Sequence, residues 1–92
     1  MPYIKPEDRK PLDALIDDLA ARLPQDSLAG NLNYVISRMC AKVLERERNY
    51  ARINELVGAL ECAKLELYRR VAGPYEDTKI DENGDVYPPG VR

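Results

Sequence analysis

Acidic side chains are the groups in this sequence most capable of catalysis or metal binding, because its 92 residues include no histidine. A helical nucleotide hydrolase that uses Mg²⁺ needs several carboxylates on one face, since this ion prefers oxygen ligands. Glu61 and Glu66 are five residues apart, which places them about 140° apart around an α-helix. Glu55 shares a face with Glu66 but lies three turns away. The spacing favours solvated helix charges, so we expect no catalytic residue, no metal ligand and no cofactor. A Mg²⁺-dependent helical nucleotide hydrolase built from Glu residues stays an alternative.

Basic side chains are the second group that could bind a ligand. The sequence has 14 Lys and Arg residues against 16 Asp and Glu residues, a formal net charge of -2. The basic residues between positions 42 and 52 are interspersed with Glu45, Glu47 and Glu55, so this segment has little net positive electrostatic potential. This composition disfavours nucleic-acid binding, and a nucleic-acid-associated regulator is kept as a further alternative.

The elements that carry these side chains are helices, because apolar residues recur every three or four positions. The pattern predicts helices at about 11–23, 30–47 and 49–72. No Pro or Gly separates the second and third segments, so a continuous helix is the alternative to a break. We favour a break near Asn49, because an asparagine side chain can cap a new helix.

The last twenty residues form an acidic, proline-bearing tail over 73–92. A glycine followed by a proline, as at Gly73 and Pro74, commonly follows the end of a helix. Within the tail, Asn83 and Gly84 lie between short runs capable of forming strands, which indicates a β-hairpin. The sequence thus predicts an all-α fold: a three-helix up-down-up bundle with a short C-terminal β-hairpin or extended tail. Residues 1–92 would form a single small domain.

Four segments of the chain resemble a family of small uncharacterised proteins from prokaryotes and their phages. These segments are GNLNYVISR (30–38), NYARINELVGALECAKLELYRR (49–70), PYEDTKI (74–80) and ENGDVY (82–87). The resemblance is clearest from residue 30 to 87. It implies a phage or phage-derived source and no known activity, so it assigns no role to any residue.

Self-association is the function that the pattern favours. The third helix carries apolar residues on two stripes, and one neighbouring helix of the same small chain covers about one of them. Gly58 and the small residues around it would let another helix approach closely. We therefore expect a non-catalytic homo-oligomeric interaction or accessory protein, a dimer or higher, with an unidentified protein partner as a further possibility. The interface candidates are Ile53, Leu56, Val57, Gly58, Leu60, Cys62, Ala63 and Leu67.

Two further expectations concern register and location. Arg38 and Glu61 fall at similar levels if the second and third helices run antiparallel, so they are candidates for an ion pair that fixes the register. The N-terminal residues include no apolar run of the signal-peptide type, and no segment reaches the length of a spanning helix. A cytoplasmic location without membrane contact follows as the expectation.

Overall fold

The computed structural model describes residues 3–92, and its regular elements in that range are all helical, without a strand. This confirms the all-α class. The elements are α1 (Pro6–Arg22), α2 (Leu28–Arg46), α3 (Tyr50–Leu67), a π-helical turn (Tyr68–Ala72) and α4 (Gly73–Asn83).

Helix α1 begins five residues earlier than the apolar spacing predicts. Pro6 is its first residue, which suits proline because the first N–H groups of a helix have no partner within it. Pro11 lies inside the helix rather than at its start. The preceding Lys5 is extended, and its carbonyl accepts the N–H groups of Asp8 and Arg9.

The break between α2 and α3 falls where the sequence predicts it. Glu47 is extended, with φ -158° and ψ 114°, and the next helix begins at Tyr50. The Asn49 side chain caps that helix, since its Oδ1 accepts the Arg52 N–H at 2.8 Å. Asn49 thus acts as the predicted cap.

The predicted β-hairpin is wrong, because α4 occupies the segment that was to supply its first strand and turn. Gly73 has helical backbone angles, and its N–H donates to the carbonyl of Tyr68, five residues earlier. Pro74 then stands in the first turn of α4, where its fixed φ suits the helix. The chain therefore passes through Gly73 and Pro74 as a helix and ends at Gly84, which has a positive φ of 87°.

The structure divides into two units, one up to Gly58 and one from Ala59 to Arg92. Within the first unit, no Cα atom of α1 lies within 8 Å of a Cα atom in α2, and α3 runs across the boundary between the two units. The up-down-up bundle is therefore not confirmed. Whether residues 1–92 behave as one domain stays a prediction.

Exposure is the feature that most separates this chain from an ordinary small domain. Among residues 3–92, no side chain is fully buried, apolar or polar. Leu15 is 71% exposed and Met39 59% exposed, although both lie on the apolar stripes of their helices. The apolar faces of the helices are thus only partly buried within the described residues.

Candidate functional site

The α3 apolar face is the broadest of these exposed surfaces. At about 100° per residue, six apolar residues of this helix fall within an arc of about 120°. Leu56 is half-buried, whereas Leu60 is 43% exposed and Leu67 63% exposed. The two stripes seen in the sequence thus adjoin and form one face. This face consists of Ile53, Leu56, Val57, Leu60, Ala63 and Leu67.

The remaining two interface candidates, Gly58 and Cys62, lie on the opposite side of α3. The same helical spacing places them about 160–200° from Leu60. A Cβ atom built on Gly58 would meet no atom within 4 Å. Cys62 is an exposed free thiol, whereas the free thiol of Cys40 on α2 is half-buried. Cys62 is therefore open to solvent, and none of the residues 3–92 packs against Gly58.

Helix α2 has a second, narrower apolar surface, which we call the α2 apolar face. Its residues recur at spacings of three and four, and of the charged side chains of α2 only Arg46, in the last turn, falls within its arc. Met39 is 59% exposed in its centre, and Val43 near its end is half-buried. The face consists of Leu28, Leu32, Val35, Ile36, Met39 and Val43.

A polar cluster, the corner cluster, fixes the connection between α2 and α3. It consists of Glu47, Asn49 and Arg52. Glu47 accepts hydrogen bonds from Asn49 Nδ2 at 2.9 Å and from Arg52 Nη2 at 3.0 Å. The hydrogen bond from Arg52 and its positive charge lower the pKa of Glu47, and the same pair raises the pKa of Arg52. Sequence reasoning found the cap but missed the ion pair, whose partners are five residues apart across a helix break.

In the second unit, the π-helical turn is linked to α4 by a side-chain hydrogen bond. The Tyr68 hydroxyl donates to Glu76 Oε1 at 2.5 Å. This bond and the negative charge of Glu76 raise the pKa of Tyr68. Lys79 lies 5.6 Å from the centroid of the Tyr75 ring on the same helix. These contacts are local and leave Val86 in the tail 85% exposed.

The carboxylates considered for metal chemistry each bind a cation three residues away along the chain. Glu55 lies 3.6 Å from Arg52, Glu61 lies 3.2 Å from Lys64, and Glu66 lies 3.0 Å from Arg69. No three ligating side chains come together anywhere in the range 3–92. Glu61 thus has a local partner, and its pairing with Arg38 stays a prediction. Within the same range, no helix is both long and apolar enough to cross a membrane.

Fold and site together define a small all-helical protein with exposed apolar helix faces. A family model described as Domain of unknown function (DUF6899) matches residues 1–86, so the chain belongs to that family. This confirms the resemblance to an uncharacterised family. No curated protein and no solved structure matches the chain.

Proposed function

We propose that this protein is a non-catalytic, homo-oligomeric interaction or accessory protein of the cytoplasm, which self-associates through the α3 apolar face. The proposal includes the phage or phage-derived source that the family resemblance implies. The observation that carries it is the uncovered apolar surface of the described chain, in which no side chain is fully buried.

The exposed area gives this observation a magnitude. The chain exposes 8252 Å². A folded monomer of 10.4 kDa exposes about 5400 Å² by the usual scaling of area with mass. The difference is about 2900 Å² per chain, whereas a standard protein interface buries about 800 Å² on each partner. One standard interface would therefore cover about a quarter of the excess on each chain.

A second copy fits this surface better than a strongly charged partner does. The six residues of the α3 apolar face are uncharged, although Lys64 falls within the same arc and pairs with Glu61 at 3.2 Å. The formal net charge of -2 causes little repulsion between copies. A two-fold axis would bring the same apolar surface from both copies together, which is how most soluble oligomers form.

Sedimentation equilibrium of the full chain, from about 1 µM to several hundred µM, tests the proposal. We expect a mass that rises with concentration to that of a dimer or a higher oligomer. A monomeric mass at the highest concentration contradicts the proposal. An unrelated protein partner, recovered from the native host with a monomeric chain, would then be the occupant of the α3 apolar face.

A further inference from the structure

Helix α1 is open to solvent along its whole length, although it is amphipathic. Every residue of Pro6–Arg22 is exposed, including Leu15 at 71% and Ile16 at 57%. Four apolar residues of this helix fall within an arc of about 100°. We call this surface the α1 apolar face; it consists of Leu12, Leu15, Ile16 and Leu19.

A helix of this kind needs a second element to stabilise it. Pro11 lies inside α1, where proline removes one backbone hydrogen bond and its ring crowds the carbonyl four residues earlier. Asp13 and Asp17 are four residues apart, and like charges at this spacing destabilise an isolated helix. Most helical stability in proteins comes from packing of the apolar face. We therefore expect the α1 apolar face to bind another surface.

The α2 apolar face of the same chain does not cover α1. The two helices belong to one unit, and no Cα atom of α1 lies within 8 Å of a Cα atom in α2. Packed helices have axes about 8–10 Å apart and Cα radii of about 2.3 Å, so their nearest Cα atoms come well within that distance. Both apolar faces thus remain open to a second chain.

A turn of defined conformation separates the two helices. Leu23 is extended, and Ser27 is left-handed, with φ 57° and ψ 40°. A left-handed residue other than glycine is uncommon and costs free energy, so other contacts must hold it in place. The Asn31 side-chain nitrogen does so by donating to the carbonyls of Asp26 and Ser27, each at 3.1 Å. This turn sets the direction in which α1 leaves α2.

A row of basic side chains runs along one side of the α2 apolar face. The row consists of Arg38, Lys42 and Arg46, which recur every four residues. Lys42 also binds Glu45 of the same helix at 3.4 Å. Arg38 and Arg46 bind no carboxylate in the described part of the chain. We call these three residues the α2 basic row.

Acidic side chains with the same spacing lie on one side of the α1 apolar face. Asp13 and Asp17 are four residues apart, and among residues 3–92 neither of them binds a cation. Asp18, on the other side of that face, already pairs with Arg22 at 2.9 Å. Asp13 and Asp17 therefore complement the α2 basic row in both charge and spacing. The helices also match in length, at 17 and 19 residues.

We infer that α1 of one chain packs on the α2 apolar face of a second copy, with Asp13 and Asp17 beside the α2 basic row. Two copies that do this reciprocally close around a two-fold axis. The inference rests on the proposed self-association and adds a second contact to it. One standard interface leaves most of the excess exposed area of each chain uncovered, so a second contact has surface to bury.

Charge reversal on either helix should weaken the dimer, and mixing the two variants should restore it. The first variant is Asp13→Lys with Asp17→Lys, and the second is Lys42→Glu with Arg46→Glu. Each variant alone places like charges together. In an equimolar mixture, every altered helix meets a helix of opposite charge on the other chain. Arg38 stays unchanged, so its predicted pairing with Glu61 is not disturbed.

Sedimentation equilibrium measures the dissociation constants of the variants and of their mixture. An exposed ion pair changes an equilibrium by up to about fivefold, and a reciprocal dimer contains two such contacts. Each variant alone should therefore raise the dissociation constant about 25-fold, whereas the mixture should return to within about threefold of the wild type. Circular dichroism checks that each variant keeps its helix content.

The matched control is Asp77→Lys with Asp81→Lys, on α4. These two aspartates are also four residues apart on a helix, so the control changes the net charge and the spacing in the same way. We expect it to change the dissociation constant less than about threefold. Weakening by the control equal to that of the first variant overturns the inference, because the effect would then come from net charge alone.

A fourth variant combines all four substitutions on α1 and α2 in one chain. It restores opposite charges both within a chain and between chains, whereas the mixture restores them only between chains. Recovery in the mixture and in this variant supports the inference. Recovery in this variant alone overturns it, because α1 would then pack on α2 of its own chain.

The remaining outcomes separate the inference from the proposed function. A wild-type dimer that neither charge-reversal variant weakens overturns the inference and leaves self-association standing. The occupant of the α1 apolar face would then be a different protein. A wild-type chain that is monomeric at every concentration overturns both.

Discussion

Shortening one leucine on the α3 apolar face tests whether that face mediates self-association. Leu60→Ala removes most of an apolar side chain in the middle of the face, and alanine is at least as good a helix former as leucine. The monomer should thus keep its helix. Leu65 provides the matched control, because it lies on the same helix about 140° away and is also exposed.

The expected magnitude follows from the exposure of Leu60. Complete burial of a leucine side chain contributes about 1.5–3 kcal/mol. Because 43% of Leu60 is open to solvent, about 0.6–1.3 kcal/mol per chain remains to be gained on association. Two copies lose about twice that in the dimer, which raises the dissociation constant about 10- to 70-fold.

Sedimentation equilibrium of the two variants and the wild type measures this change. We expect Leu60→Ala to weaken the dimer by the stated factor and Leu65→Ala to change its dissociation constant less than about threefold, within the range of surface substitutions. Equal weakening by both substitutions would show that the α3 apolar face has no special role. No weakening by Leu60→Ala would refute the assignment directly.

Three other predictions address single residues. Gly58→Ala should raise the free energy of unfolding by about 0.5–1 kcal/mol in urea denaturation, because the added Cβ meets no atom within 4 Å and alanine favours helix; a decrease would show that another helix packs there. A double-mutant cycle on Arg38 and Glu61 in the oligomer should give a coupling energy, and zero coupling contradicts the predicted register pair. The carboxyl of Glu47 should titrate below the ordinary glutamate pKa by NMR, and Arg52→Gln should move it back up. Because folding lowers the pKa of Glu47, its ionised carboxylate stabilises the folded chain at pH values above the ordinary glutamate pKa. This stabilisation is lost as the pH falls through the lowered pKa of the folded state.

The sequence determined the local structure wherever the interacting groups lie within about four residues of each other. The apolar periodicity located α1, α2 and α3, and Asn49 marked the break because its side chain reaches an N–H three residues ahead. The same periodicity identified the apolar faces, including six of the eight interface candidates, on one side of α3.

Gly73 and Pro74 show where this local reasoning stops. A glycine followed by a proline is typical of a helix end, and the Asn83–Gly84 pair is typical of a hairpin turn. Both patterns also fit a helix that continues from residue 73 to residue 83. Proline is well suited to the first turn of α4, and glycine is well suited to its C-terminal cap. In the structure, the Gly73 N–H donates to the carbonyl of Tyr68, five residues earlier, so the helix continues through a π-helical turn into α4.

Only the tertiary structure decided how far the apolar faces of the described residues stay exposed to solvent. Apolar periodicity shows which side of a helix is hydrophobic. The periodicity is the same whether that side packs against the same chain or against another chain. The contact between Glu47 and Arg52 across the helix break is a further feature that the sequence did not reveal. Such a contact has no fixed spacing in a sequence, because it forms only once the direction of both helices is set.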